Sequence, residues 1–168
     1  ATEFGAIVTA MKGAAPDLIF YGGMDPQGAP LLKELRKQGV QAKYMGADGL
    51  KTSNFSTLAC DVAEGAFAST ASVADDKMPG RTAFAEKYKK AFGGEVVAYS
   101  PYAYDATNVV LAAMKKAQSS DPAKYLPELA ASQFDGITGK IGFTETGDLK
   151  DGVVTIYTIK GGKWEVAQ

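Results

Sequence analysis

Helical and extended patterns alternate along the first part of this chain, with glycine at almost every junction, and few folds accept that arrangement. Phe4, Ile7, Val8 and Met11 recur at helical spacing, with Thr2 placed as the N-cap and Gly13 as the stop. Residues 17–21 are a short apolar run bounded by Pro16 and Gly22-Gly23, the pattern of a buried strand. The loop at residues 24–28 opens a second helix, which carries Leu31, Leu32 and Leu35 on one face and stops at Gly39. Residues 40–45 read as a second strand, closed by Gly46-Ala47-Asp48-Gly49. Ser53-Asn54 starts a short helix bearing Phe55 and Leu58, and residues 65–70 form a third strand. Strands separated by helices cannot pair as tight hairpins, so the pattern predicts an α/β fold with a parallel sheet.

The texture then changes. Residues 73–80 are polar and end in Pro79-Gly80, which reads as a crossing segment. Phe84, Tyr88, Ala91 and Phe92 mark another helix, ended by Gly93-Gly94, and residues 95–99 read as a short strand. Ser100-Pro101 and Asp121-Pro122 each pair a capping residue with a proline, so each opens a helix, the first running to about Ala117. One of Tyr102 and Tyr104 is expected in the core. Residues 137–143 are a Gly-rich strand candidate. Residues 153–159 are dominated by β-branched side chains and give the strongest strand signal in the chain. Lys160-Gly161-Gly162-Lys163 is a hairpin turn returning through Trp164-Glu165-Val166.

Composition removes several functions. The 168 residues contain no histidine and one cysteine. Ser-His-Asp and Cys-His catalysis and the usual zinc sites are therefore excluded. Cys60 is expected to be a small buried residue. The formal net charge is -1, and the densest basic cluster, Lys87 with Lys89 and Lys90, shares its helix with Glu86. That is a solvated helix face rather than a nucleic-acid surface. No apolar run is long enough to span a bilayer. Ala1-Thr2-Glu3 leads directly into an amphipathic pattern, as expected if a signal has been removed or the chain begins inside a larger protein.

In open α/β sheets, ligands bind beyond the carboxyl ends of the strands. Three segments are expected there: Gly22-Gly23-Met24-Asp25, Gly46-Ala47-Asp48-Gly49 and Tyr99-Ser100-Pro101-Tyr102. Glycine admits close backbone approach. Asp48 is a fixed negative charge among small residues, and the tyrosines offer flat faces and hydroxyls. Such a set suits a small ligand with a cationic amine and an apolar part. Each feature also has a structural explanation: Gly22-Gly23 as a tight turn, Asp48 before Gly49 as ordinary turn chemistry.

Phe4-Gly5-Ala6-Ile7-Val8 and Pro16-Asp17-Leu18-Ile19-Phe20-Tyr21-Gly22-Gly23 resemble the second half of the leucine/isoleucine/valine-binding proteins. Gly39 to Gly46 with Asp48-Gly49, then Ala63-Glu64-Gly65, Tyr99 to Asp105 and Gly147 to Lys150 continue the likeness in order. The resemblance implies a two-lobed type I periplasmic binding protein fold, α/β in each lobe with three hinge crossings, here incomplete. It implies that residues 1–71 and 153–168 lie in the second lobe and residues 72–152 in the first. It further implies extracytoplasmic binding of a small amino acid, branched-chain or other aliphatic, for a membrane permease of an ABC importer in the periplasm. On this reading the chain is no enzyme and uses no cofactor or metal. Asp48 takes the place that holds the ligand α-ammonium. Gly23 precedes the covering residue, often aromatic in the family and here Met24, a departure that bears on pocket shape. Val97, Tyr99 and Tyr102 match the first-lobe segment that packs on the ligand side chain. The family's α-carboxylate site belongs to an amino-terminal segment without a match in this chain.

A nucleotide-using enzyme on a doubly wound sheet is the competing reading, although Gly22-Gly23 lacks the rest of a dinucleotide fingerprint and no Walker-type Gly-Lys-Ser/Thr is present. A sensing domain of the same fold also stays open. The incomplete fold leaves sheet edges to be paired. The 168-residue chain alone is therefore expected to self-associate, or to be recovered with the missing amino-terminal half. Light scattering checks this, and a compact, stable monomer would contradict it.

Overall fold

The computed structural model describes residues 3–167. In chain order the elements are α1 (Gly5–Ala14), β1 (Leu18–Tyr21), α2 (Asp25–Lys37), β2 (Lys43–Gly46), α3 (Ser53–Ala59), β3 (Phe67–Thr70), α4 (Arg81–Phe92), α5 (Ser100–Ala117), α6 (Pro122–Ala130), β4 (Gln133–Asp135), β5 (Lys140–Gly142), β6 (Thr155–Lys160) and β7 (Lys163–Val166). They divide into two compact units, one running to Ala71 and resuming at Val154, the other spanning Ser72–Val153.

The first unit is a five-stranded sheet in the order β1-β2-β3-β6-β7. The β1–β2 and β2–β3 pairs are parallel, as the intervening helices require, and β6 and β7 add antiparallel. The two-residue turn between β6 and β7 needs left-handed backbone at both centres, which Gly161 (φ 55°) and Gly162 (φ 77°) supply. One face of the sheet is dry. Ile19, Tyr44, Ala68 and Ile159 point into a core with Leu31, Leu32 and Leu35 of α2 and Phe55 of α3. Each fully buried leucine contributes about 1.5–3 kcal/mol. On β1 the alternation leaves Leu18 and Phe20 exposed at 46% and 58%, on a strand that forms one edge of the sheet. The structure starts β2 at Lys43 rather than at residue 40, because the Arg36 guanidinium donates to the carbonyls of Val40 (2.7 Å) and Ala42 (3.0 Å) and holds them as a connector.

The second unit contains α4, α5, α6 and the antiparallel pair β4–β5. Its buried apolar side chains among the described residues are few: Met78, Pro101, Val109 and Ala113. A polar staple does much of the joining. Asp105, on α5 and 2% exposed, accepts from Ile137 N (3.0 Å), Thr138 N (2.8 Å) and Thr138 Oγ1 (2.6 Å). Gly136 sits so close that a Cβ there would overlap the Asp105 carboxylate. Gly80 makes a second close approach: its N–H donates to Ile137 O at 3.0 Å, and a Cβ would lie 2.6 Å from Ile137 Cβ.

Several sequence expectations need correction. Thr2 lies outside the described residues. Residues 95–99 form no strand: residues 95–97 are irregular, residues 98–99 turn into α5, and no strand pairing among the described residues includes them. Within residues 137–143 only Lys140–Gly142 is strand, since Asp105 gathers the preceding residues into a turn, and its partner β4 carried no clear strand signal. Ser100 is the first residue of α5, not its cap. Neither Tyr102 nor Tyr104 reaches a core; Pro101 and Asp105 take the inward positions of that turn. Cys60 is exposed, because it ends α3 with φ 54° and its Sγ turns to Thr57 O at 3.3 Å and Lys33 Nζ at 3.8 Å. Among the described residues no helix is long and apolar enough to cross a membrane.

Asp105→Ala would leave three donors without their carboxylate and is expected to destabilise the second unit by about 2–4 kcal/mol, read by urea unfolding. Thr138→Val removes one donor only and is expected to cost about 1 kcal/mol.

Candidate functional site

The register of β1 on β2 (Leu18↔Lys43 through Tyr21↔Gly46) makes the two strands end at the same level. The segments that follow, Gly22–Met24 and Ala47–Leu50, therefore leave the sheet side by side. Their contact depends on glycine: a Cβ at Gly49 would lie 2.6 Å from Met24 Sδ and 2.7 Å from Gly23 O. A Cβ at Gly46 would strike the Leu50 side chain and come within 3.1 Å of Tyr21 O. Asp48 opens a 3-10 turn, Asp48–Leu50, closed by Leu50 N–H to Ala47 O and Lys51 N–H to Asp48 O, both 3.0 Å. Gly49 and Leu50 are buried beneath it, so Asp48 stays at the surface of the loop.

Aromatic rings support the floor. Tyr21 lies under Gly23, where a Cβ would strike its hydroxyl, and its Oη reaches Met24 O at 3.4 Å. Tyr44 stacks on Tyr21 with centroids 6.1 Å apart and donates to Gly28 O at 3.1 Å. Burial, and secondarily Tyr21, pushes the Tyr44 phenol well above the usual tyrosine range, so it remains a neutral donor. Met24 is 53% exposed and covers the loop end with a flexible thioether. At the first turn of α2, Asp25 Oδ2 accepts from Thr52 Oγ1 (3.0 Å) and Asn54 Nδ2 (2.6 Å). A carboxylate there already occupies the position that the helix dipole offers an anion. Asp48 adds a second carboxylate in the loop after β2, so this end of the sheet suits a cationic group.

The second unit holds the other three residues singled out by sequence. Val97 and Tyr99 are exposed and Tyr102 is half-buried. They lie where residues 95–99 enter α5, tied by Ser100 N–H to Val97 O (3.1 Å) and Ala103 N–H to Tyr99 O (3.0 Å). Gly23, Met24 and Asp48 thus come together within the first unit, and Val97, Tyr99 and Tyr102 within the second.

The family of periplasmic binding proteins matches residues 1–163. The chain belongs to that family. Among periplasmic binding proteins it is 31% identical, over 92% of its length, to a leucine-, isoleucine-, valine-, threonine- and alanine-binding protein of Pseudomonas aeruginosa, of which it covers 41%. A crystal structure of a leucine binding protein from Thermotoga maritima superposes on all of the chain with a TM-score of 0.87 at 26% identity, and 48% of that protein is covered. A type 1 periplasmic binding protein from Bordetella pertussis shares the fold at 21% identity and a TM-score of 0.80, with 50% of its chain covered. The chain spans about half the length, or less, of the periplasmic binding proteins it matches.

Two residues that carried no local signal belong to this region. Thr52 bonds Asp25 and caps α3, accepting from Phe55 N at 2.9 Å. Trp164, from the far end of the chain, donates its indole N–H to Thr52 O at 2.9 Å. Only a three-dimensional contact across that sequence distance could reveal them.

Gly49→Ala is expected to destabilise the first unit by about 1–3 kcal/mol, because the backbone of Gly23 cannot move aside cheaply. Gly22→Ala, with nothing within 4 Å of its Cβ, is expected to be near neutral. Thermal unfolding of the two variants checks the contrast.

Proposed function

We propose that the protein carrying these residues binds a small aliphatic amino acid outside the cytoplasm and delivers it to the membrane permease of an ABC importer. The observation that carries the reading is the meeting of Asp48-Gly49 with Gly23-Met24 at the carboxyl edge of parallel strands. It occurs in a chain whose relative is a leucine-, isoleucine-, valine-, threonine- and alanine-binding protein.

Asp48 holds the α-ammonium and Met24 covers the ligand beside Gly23. Val97, Tyr99 and Tyr102 form wall from the other lobe, which comprises residues 72–152. The α-carboxylate is held by the amino-terminal half, so these residues supply only part of the pocket. The exposed β1 edge with Leu18 and Phe20 supports pairing with that half, or with a second copy when the chain is alone. Nothing in this chemistry asks for a catalytic group or a cofactor: an ion pair, hydrogen bonds and apolar cover suffice for reversible binding.

Titration calorimetry of the full-length protein with L-leucine, L-valine, L-alanine and, for contrast, L-glutamate tests the reading. Heat is expected with the aliphatic ligands. Asp48→Ala removes a charge-assisted interaction of about 1.5–3 kcal/mol and is expected to weaken binding by about 10- to 150-fold. No heat with any amino acid, or an Asp48→Ala variant that binds normally, would overturn it.

A further inference from the structure

Trp164 stands on β7, the edge strand opposite β1, paired with Ile159. Two separate connections run from it to the candidate ligand loops. The first is a line of rings. Trp164 packs on Phe55 at 5.9 Å, Phe55 stacks on Tyr44 at 6.4 Å with planes 2° apart, and Tyr44 stacks on Tyr21, which lies under Gly23. The second is a hydrogen-bonded path. The indole N–H holds Thr52 O, while Thr52 Oγ1 holds Asp25, next to Met24. Thr52 N–H also closes on Leu50 O at 2.7 Å, and Lys51 N–H returns to Asp48 O. The turn bearing Asp48 is therefore pinned at its downstream end by an indole from the carboxyl-terminal hairpin. The same hairpin also offers the Tyr157 ring, 4.1 Å below Lys51 Nζ.

We infer that Trp164 is a positioning residue for the Asp48 turn, setting ligand affinity through Thr52 without being part of the pocket wall. This rests on the reading of Asp48 as the ammonium anchor. A carboxylate gains from an ammonium only if it is held in place before the ligand arrives, and the indole bond to Thr52 O fastens the strand-end loop just downstream of Leu50. Phenylalanine at 164 keeps a ring against Phe55 and deletes the indole donor, which separates the two connections.

The test uses the full-length protein with Trp164→Phe, Asp48→Asn and the double variant. Binding of whichever of L-leucine, L-valine and L-alanine gives heat is measured by calorimetry, and amide hydrogen exchange is followed over residues 48–52. Trp164→Phe is expected to weaken binding about tenfold, to speed exchange over that turn, and to add no further loss once Asp48 is neutralised, the non-additivity of coupled groups. Trp164→Tyr, which also lacks the indole donor, is expected to behave alike and replaces the phenylalanine variant should that one fail to fold. Unchanged exchange in the turn, unchanged affinity, or losses that simply add would overturn the inference. Absence of binding by the unmodified protein would instead sink the reading of the site, while exchange would still decide whether Trp164 fixes the turn.

Discussion

The in-register parallel pairing of β1 with β2 is the constraint on which the rest depends. Parallel strands cannot be joined by a tight turn, so the chain must return through a helix, and α2 fills that role while burying its leucines on the sheet. The same pairing puts Tyr21 opposite Gly46, so both strands release their chains at one level. Two loops leaving side by side compete for the same space. The competition is settled in backbone terms, with glycine at 46 and 49 wherever a Cβ would meet the neighbouring loop. Asp48 then sits at the rim, with Gly49 and Leu50 buried beneath it.

Much of this was legible in the sequence because it follows from periodicity and turn chemistry. Leucines at helical spacing, short apolar runs and glycine at the junctions lead to alternating elements, and the strand-end rule then points to the segments that hold Gly23, Met24 and Asp48, whose individual roles only the family resemblance suggests. The errors share a physical origin. A strand is defined by its partner, so the β-prone residues 95–99 look like a strand in sequence but pair with none among the described residues. In the opposite sense, β4 exists because β5 folds back on it, not because Gln133-Phe134-Asp135 favours extension. Cys60 fails for a related reason: the preference of cysteine for interiors is an average, and the turn at its own φ of 54° faces the thiol outward. Thr52 and Trp164 were invisible because their roles arise only when the two ends of the first unit meet.

The two units are stabilised differently. In the first, apolar side chains from both layers interlock around Tyr44, Phe55 and Leu32, so stability comes mainly from dry area. In the second, few side chains are buried, and Asp105 with its three donors fixes the turn at residues 136–139 to α5. Hydrogen bonds of this kind specify geometry more than they supply net stability.

Glycine at the site has a cost that the aromatic line offsets. Gly22, Gly23, Gly46 and Gly49 give the two loops more conformational freedom than any other residues would, and on the proposed reading that freedom must be lost before a ligand gains from Asp48. Ordering the loops during folding rather than during binding removes the penalty from the affinity. Tyr21 beneath Gly23, Tyr44 against Tyr21, and Phe55 between Tyr44 and Trp164 do this from below, while Thr52 bonds Asp25 on one side and Trp164 on the other. The side chain left adaptable is Met24, exposed, unbranched and polarisable. On the proposed reading, a rigid floor with one compliant cover would fix the charged end of a ligand while tolerating variation in its apolar end. That division of labour suits a binding protein for a set of aliphatic side chains better than one built for a single shape.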